Sequence, residues 1–375
     1  MRASLITVIT TAVGSACLLI AAVGAGTGPA RAAALAAPTV TSPFNVAGEL
    51  NGVAATSAGN AWAVGYSGVF DKTQQTLLLH WNGRAWSRVT SPKPVSGQLT
   101  AVAAASADDA WAVGFTSAAD GSSPRSLILH WNGKAWSRAS GAPSVPGGLY
   151  AVAAAGSSVW AVGGTYGPAL ILHRTGGRWY VVPSPGPAVA ALHGVTLAGS
   201  GTAWAGGQAG VGGAPSAGLL LRWNGSAWKA VASPLKGRGD AIFGLAAGPS
   251  GPVLAVGNNI NAKTGDYRPL SMAWNGKDWR QVALPAAVSG LGGVGSVPGG
   301  TAWAVGNAGP GPALLRWTGK AWARVAGPRI GSRDFLYGVA ASSPRSAWAV
   351  GADTVSAAST VTRTLILHWN GQHWS

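Results

Sequence analysis

Seven copies of one motif constrain this chain more than any other feature. The first copy reads Leu50-Asn51-Gly52-Val53-Ala54-Ala55, then Ala61-Trp62-Ala63-Val64-Gly65. It continues with Leu77-Leu78-Leu79-His80-Trp81-Asn82-Gly83 and ends with Ala85-Trp86-Ser87-Arg88-Val89. The unit starts again at Leu99, Leu149, Leu192, Ile242, Leu291 and Leu336. Its second segment is marked by Trp62, Trp111, Trp160, Trp204, Leu254, Trp303 and Trp348, a period of about 48 residues. Each unit holds four short apolar segments separated by turn residues, and none has the period of an amphipathic helix. Four strands in each of seven units predict an all-β fold: a seven-bladed β-propeller with four antiparallel strands per blade. The missing helical period excludes an α-solenoid, and the repeat is too long for a β-helix.

Within each unit the third and fourth segments form a hairpin. Gly occupies one turn position in all seven copies, at Gly83, Gly133, Gly176, Gly225, Gly276, Gly319 and Gly371. The preceding residue is Asn in five copies, and Asn-Gly predicts a two-residue type I′ turn. That turn would set Leu79 opposite Trp86. The ring is expected to close with both termini in one blade. The last copy ends at Trp374-Ser375, and Thr39-Val40-Thr41-Ser42-Pro43 resembles the Arg88-Val89-Thr90-Ser91-Pro92 that would continue it. Such closure removes exposed sheet edges.

The N-terminus reads differently. Arg2 precedes a mostly apolar stretch from Ala3 to Thr27, followed by Pro29 and the small-x-small triplet Ala30-Arg31-Ala32. Residues 1–32 are therefore expected to be a secretory signal peptide, and 33–375 the propeller. Membrane contact is expected only if that segment stays uncleaved. Cleavage would remove Cys17, the single cysteine, and with it any disulfide or thiolate metal site. Of 26 Lys and Arg, Arg2 and Arg31 would also go, leaving 24 against 10 Asp and Glu. A surface so basic favours anionic partners.

The Ala-Trp-Ala-Val-Gly and Trp-Asn-Gly-x-x-Trp units resemble the repeats of secreted seven-bladed propeller proteins of high-G+C bacteria. They are loosely similar to kelch repeats and the central domain of galactose oxidase, over roughly residues 38–375. They depart from kelch in having mostly a single Gly, such as Gly65 and Gly114, where kelch usually has a pair. The resemblance implies a fold and not an activity.

Little in the chain reads as catalytic machinery. All 19 Trp fall into three slots of the repeat, which Leu254 and Arg174 break; they are expected to pack between blades rather than form a binding platform. His80, His130, His173 and His368 share a slot that holds Arg222, Ala273 and Arg316 elsewhere, so no metal and no cofactor is expected. Carboxylates are scarce, and Asp108-Asp109 reads as a tight turn. A copper-radical oxidase site would need a cysteine that the cleaved chain lacks. Arg238-Gly239-Asp240 spells an adhesion tripeptide, a triplet that arises readily by chance in a Gly-rich chain.

Binding is the better expectation. The segments between the second and third strands vary most in length, and variable loops on a rigid scaffold carry function. One position inside the regular repeat also varies sharply, at the entrance to the first strand: Asn51, Thr100, Tyr150, His193, Phe243, Gly292 and Tyr337. Asn51, Thr100, Tyr150, His193, Phe243 and Tyr337 form the candidate site, a ring at the channel mouth; the competing reading is that they only plug the channel. Thirteen Lys and Arg, among them Arg84, Arg88, Lys134, Arg138, Lys229 and Arg324, lie in or beside the outer hairpins. Charge so dispersed argues against a nucleic-acid groove. The chain thus reads as a secreted, monomeric, non-catalytic propeller that engages a glycan, an anionic cell-wall polymer or an extracellular protein. The alternative is a secreted propeller enzyme acting on polysaccharide.

Overall fold

The chain divides into Met1–Ala37 and Pro38–Ser375. The structure, a computed structural model, describes residues 44–375 apart from 70–72, 93–95, 117–123, 165–166, 200, 211–216, 236–238, 249–250, 261–266, 298–299, 310, 332–333 and 355–360. The predicted signal peptide lies outside the described residues, as do Thr39–Pro43.

Six four-stranded antiparallel sheets and one three-stranded sheet follow one another along the chain, each in simple up-and-down order. Their inner strands are Gly48–Ser57, Gly97–Ala104, Gly148–Ala155, Ala190–Leu197, Asp240–Ala247, Gly290–Val297 and Asp334–Ser343, which define blades 1 to 7. There is no single central core. The buried apolar residues fall into seven clusters, each spanning two neighbouring blades. One of them joins Leu50, Leu77, Leu79 and Trp86 of blade 1 to Trp348, Val350 and Ile366 of blade 7, so the ring is closed.

The closure uses both termini. The seventh sheet lacks a full outer strand, and two pieces of chain stand in its place against Thr362–Trp369. From the C-terminus, Ser375 exchanges both backbone hydrogen bonds with His368, at 2.8 and 3.0 Å. From the N-terminus, Thr364 N–H donates to the Val46 carbonyl at 3.0 Å, and Ala47 bridges Arg363. That bridge matches Gln75 with Ser96 in blade 1 and Arg125 with Pro146 in blade 2.

The interfaces explain the tryptophans and the histidine slot together. Trp62 stacks on His80 of its own blade, with ring centroids 4.3 Å apart. Its other neighbours are Trp131 and Trp136 of the next blade, at 4.8 and 5.0 Å. Trp160 repeats the arrangement with His173, Trp223 and Trp228. In blade 4 the slot holds Arg222, whose guanidinium lies 5.5 Å from the Trp204 ring. In blade 5, where Leu254 replaces Trp, the slot shrinks to Ala273. The slot therefore supplies a flat or cationic partner for an indole face, the contact that a π-system favours. Each slot histidine is also tied to the start of strand two: His80 to Asn60, His130 to Asp109, His173 to Ser158 and His368 to Ser346.

The hairpin register differs from the expected one. Trp81 pairs directly with Trp86, and Leu79 with Arg88. The reason is in the turn. A type I′ turn on Asn-Gly needs positive φ at both residues, but Gly83 has φ 92° and Asn82 has no positive φ. The two turn residues are instead Gly83 and Arg84. Asn82 sits before them and accepts the backbone N–H groups of Arg84 and Ala85, each at 3.0 Å, as Asx turns do. Blade 3 alone carries Gly-Gly here, and both Gly176 and Gly177 have positive φ.

Candidate functional site

The ring positions have one backbone property in common. Blades 1 and 7 have a second irregularity near the strand's end, but every inner strand loses one residue from its ladder at the same place near its start. The skipped residues are Asn51, Thr100, Tyr150, His193, Phe243, Gly292 and Tyr337. Each is the extra residue of a β-bulge, which bends a strand and re-aims a side chain. Freed from cross-strand pairing, these positions vary while their neighbours repeat.

The same bulge dictates the final Gly of each Ala-Trp-Ala-Val-Gly segment. A Cβ on Gly65, Gly114, Gly163, Gly207, Gly257, Gly306 or Gly351 would collide with the carbonyl oxygen of the residue just before its inner-strand partner. Two residues pressed against one leave no room for a side chain on the one.

The ring divides into parts of different chemistry. On one side the polar residues are consumed by the scaffold. Asn51 donates its amide to the Leu99 carbonyl of blade 2 at 2.8 Å. The Thr100 hydroxyl sits 3.0 Å from the Val113 carbonyl and 2.7 Å from that of Leu149 in blade 3. These two stitch adjacent blades.

Next comes an aromatic arc. Tyr150 stacks on His193, with centroids 5.1 Å apart, and His193 meets Phe243 edge-on at 5.7 Å. His193 and Phe243 are half-buried, and Tyr150 is buried. Burial pushes His193 down to about 4, so the arc is uncharged at neutral pH. The His193 Nε2 atom is buried and has no hydrogen-bond partner.

Gly292 contributes no side chain; a Cβ there would meet Phe335 and the Leu336 backbone. The Tyr337 ring lies tilted against Phe335, with centroids 4.9 Å apart. It also hydrogen-bonds Glu49 of blade 1, which Tyr66 and Thr362 contact as well. Burial raises Glu49 above the usual carboxylate range, and those hydrogen bonds oppose the rise.

One feature of this face was not found in the sequence. Asp334 and Asp353 face each other across blade 7. Burial is the main cause that lifts Asp334 to about 7, and its hydrogen bond with Asp353 adds to it. Asp334 thus keeps its proton up toward neutral pH, and its Oδ1 accepts the Gly331 N–H at 3.0 Å. Blade 5 has Asp240 and Asn259 at the same place, joined by a 2.6 Å hydrogen bond. The signal was present as an Asp at the same offset before Ile242 and Leu336, but pairing across strands two residues beyond a bulge cannot be counted off a sequence. Asp240 is 2% exposed, so the adhesion triplet does not present its carboxylate. Asp109 accepts two backbone N–H groups in the turn before strand two, as its position suggested. Among the described residues no group of His, Cys, Asp and Glu is arranged to hold a metal ion.

The loops between second and third strands lie partly outside the described residues. Their described ends lie on the ring's side of the molecule, where Val69 of blade 1 and Val361 of blade 7 are exposed. On the outer strands Arg88, Arg138, Lys229, Arg280 and Arg324 are exposed.

No family model and no curated protein matches this chain. Solved structures do. A YCF48 bound to a D1 peptide is 16% identical with a TM-score of 0.55, over 88% of this chain and 97% of that one. The propeller domain of the Trilobed protease from Pyrococcus furiosus is 9% identical with a TM-score of 0.55, over 88% and 97%. A GH74 enzyme of Niastella koreensis is 12% identical with a TM-score of 0.52, over 87% of this chain but 58% of its own. At such identities the likeness is one of fold, and it identifies this chain as a seven-bladed β-propeller.

Proposed function

We propose that this chain is a secreted, non-catalytic binding propeller that holds an extracellular polymer, either a glycan, a cell-wall polymer or a polypeptide, over the channel mouth. The observation that carries the reading is the arc of Tyr150, His193 and Phe243, lifted out of the ladder by consecutive bulges and bearing one unpartnered ring nitrogen. Aromatic faces with a polar group among them suit sugar rings and polypeptide side chains alike. The propeller of YCF48 is bound to a peptide, which supports a polypeptide as one partner class. Secretion rests on Arg2, the apolar Ala3–Thr27 stretch and the Ala30-Arg31-Ala32 triplet.

The carboxyl geometry supports the non-catalytic reading. Polysaccharide hydrolysis wants two carboxyls roughly 5–9 Å apart across a bond. Asp334 and Asp353 hydrogen-bond each other instead.

Glycan arrays and pull-downs with wall polysaccharide and secreted proteins test the proposal, using the wild type and Phe243→Ala. Binding that Phe243→Ala weakens at unchanged melting temperature is the expected outcome. No binding to any carbohydrate removes the glycan form. Turnover of a polysaccharide by the wild type overturns the non-catalytic reading.

A further inference from the structure

The outer edge of blade 3 breaks the pattern of the others. In five blades the two residues after the outer-strand Trp are Ser87-Arg88, Ser137-Arg138, Lys229-Ala230, Arg280-Gln281 and Ala323-Arg324, small, polar or charged in every case. Blade 3 has Tyr180-Val181, 49% and 59% exposed. No other strand among the described residues exposes a large apolar side chain. Charged side chains on an edge strand are the usual defence against unwanted pairing, and here they are replaced by residues that favour pairing.

The backbone fits the same reading. The outer strand of blade 3, Arg178–Val181, has four residues where the other outer strands have three. Its ladder runs unbroken to Thr175 opposite Arg178, because Gly176 and Gly177 both take positive φ. Val182 N–H is bonded inward to the Ile171 carbonyl at 2.9 Å. Antiparallel alternation then turns the backbone groups of Tyr180 inward and those of Trp179 and Val181 outward. The strand is the last in its sheet, with nothing beyond it among the described residues.

We propose that this edge accepts an extended, acidic and apolar peptide segment as a fifth strand. Strand addition draws affinity from main-chain hydrogen bonds and specificity from alternate side chains. Tyr180 and Val181 supply the apolar contacts. Arg178 begins the same strand, exposed, and no acid is paired with it among the described residues. Acidic residues on the incoming strand complement this guanidinium group and a chain of formal net charge +16. That charge also opposes a second copy on the same edge.

The test uses the full chain and a fluorescein-labelled octapeptide alternating Glu with Val, read by fluorescence anisotropy. The controls are a Lys-for-Glu analogue and an analogue interrupted by Pro. The proposal expects saturable binding that weakens about tenfold with Val181→Lys, is retained by Val181→Thr, and falls with added salt. Both analogues should bind poorly. Tyr150→Ala at the channel mouth should leave binding unchanged, which separates this site from the ring. Absence of binding, equal binding by Val181→Lys, or equal binding of the Pro-interrupted peptide overturns the proposal. So does a dimer in sedimentation that Val181→Lys dissociates, since the edge would then serve a second copy.

Discussion

Trp348 of the last blade stands edge-on to Trp86 of the first, with ring centroids 5.0 Å apart at 84°. Trp81 lies 4.8 Å from the same ring on another side. The same three-indole arrangement joins four of the other six pairs of blades, and here it joins the last blade to the first.

Trp348→Ala should therefore act on the seam. Truncating a buried Trp costs about 3–5 kcal/mol, and here it opens the ring as well. A urea titration should show a lower midpoint, and a double cycle with Trp86→Ala should return a coupling of about 0.5–1.5 kcal/mol. Additive effects would show that the seam does not depend on this pair.

The bulge predicts a sharp contrast between glycines. Gly163→Ala drives a Cβ into the Gly148 carbonyl, whereas a Cβ on Gly167 meets nothing within 4 Å. The first substitution should cost about 1–3 kcal/mol and the second less than about 0.5 kcal/mol. Thermal unfolding of the two variants side by side checks this.

Protonation of the Asp334–Asp353 pair should set a pH dependence. Asp334 is raised from 3.8 to about 7, so between those values the folded chain holds a proton that the unfolded chain has lost. This contribution is fully present below about 4 and is lost as pH rises through about 7. Asp353→Asn copies the Asp240–Asn259 pairing of blade 5. It should stabilise the protein at pH 8 by about 2 kcal/mol, with the gain shrinking as pH falls toward 4. An equal gain at both pH values would refute the raised Asp334 carboxyl.

Histidine protonation works in the opposite direction. His193 falls from 6.5 to about 4, and burial lowers His80, His173 and His368 as well. Between the folded and unfolded values the unfolded chain binds more protons, so stability drops as pH falls below about 6.5. His193→Phe keeps an aromatic ring in the arc and removes its proton site. Its melting temperature should fall less than that of the wild type between pH 7 and pH 4.

The sequence by itself determined the number of blades, their four-strand make-up and the place of each Trp, because these follow from a period along the chain and from local turn chemistry. It also located the seven variable positions, since a break in a repeat is visible without coordinates. Only the tertiary structure decided what those positions are. A bulge is a mismatch between two strands, and neither strand records it alone. The same holds for the histidine slot, whose partner is an indole in its own blade packed against the neighbouring blade. It holds for Asp334, set opposite Asp353 across blade 7, and for the hairpin, where Asn82 spends its side chain on the backbone and moves the turn one residue along. Contacts across strands and blades are set by packing distance, and packing distance is not written in the order of residues.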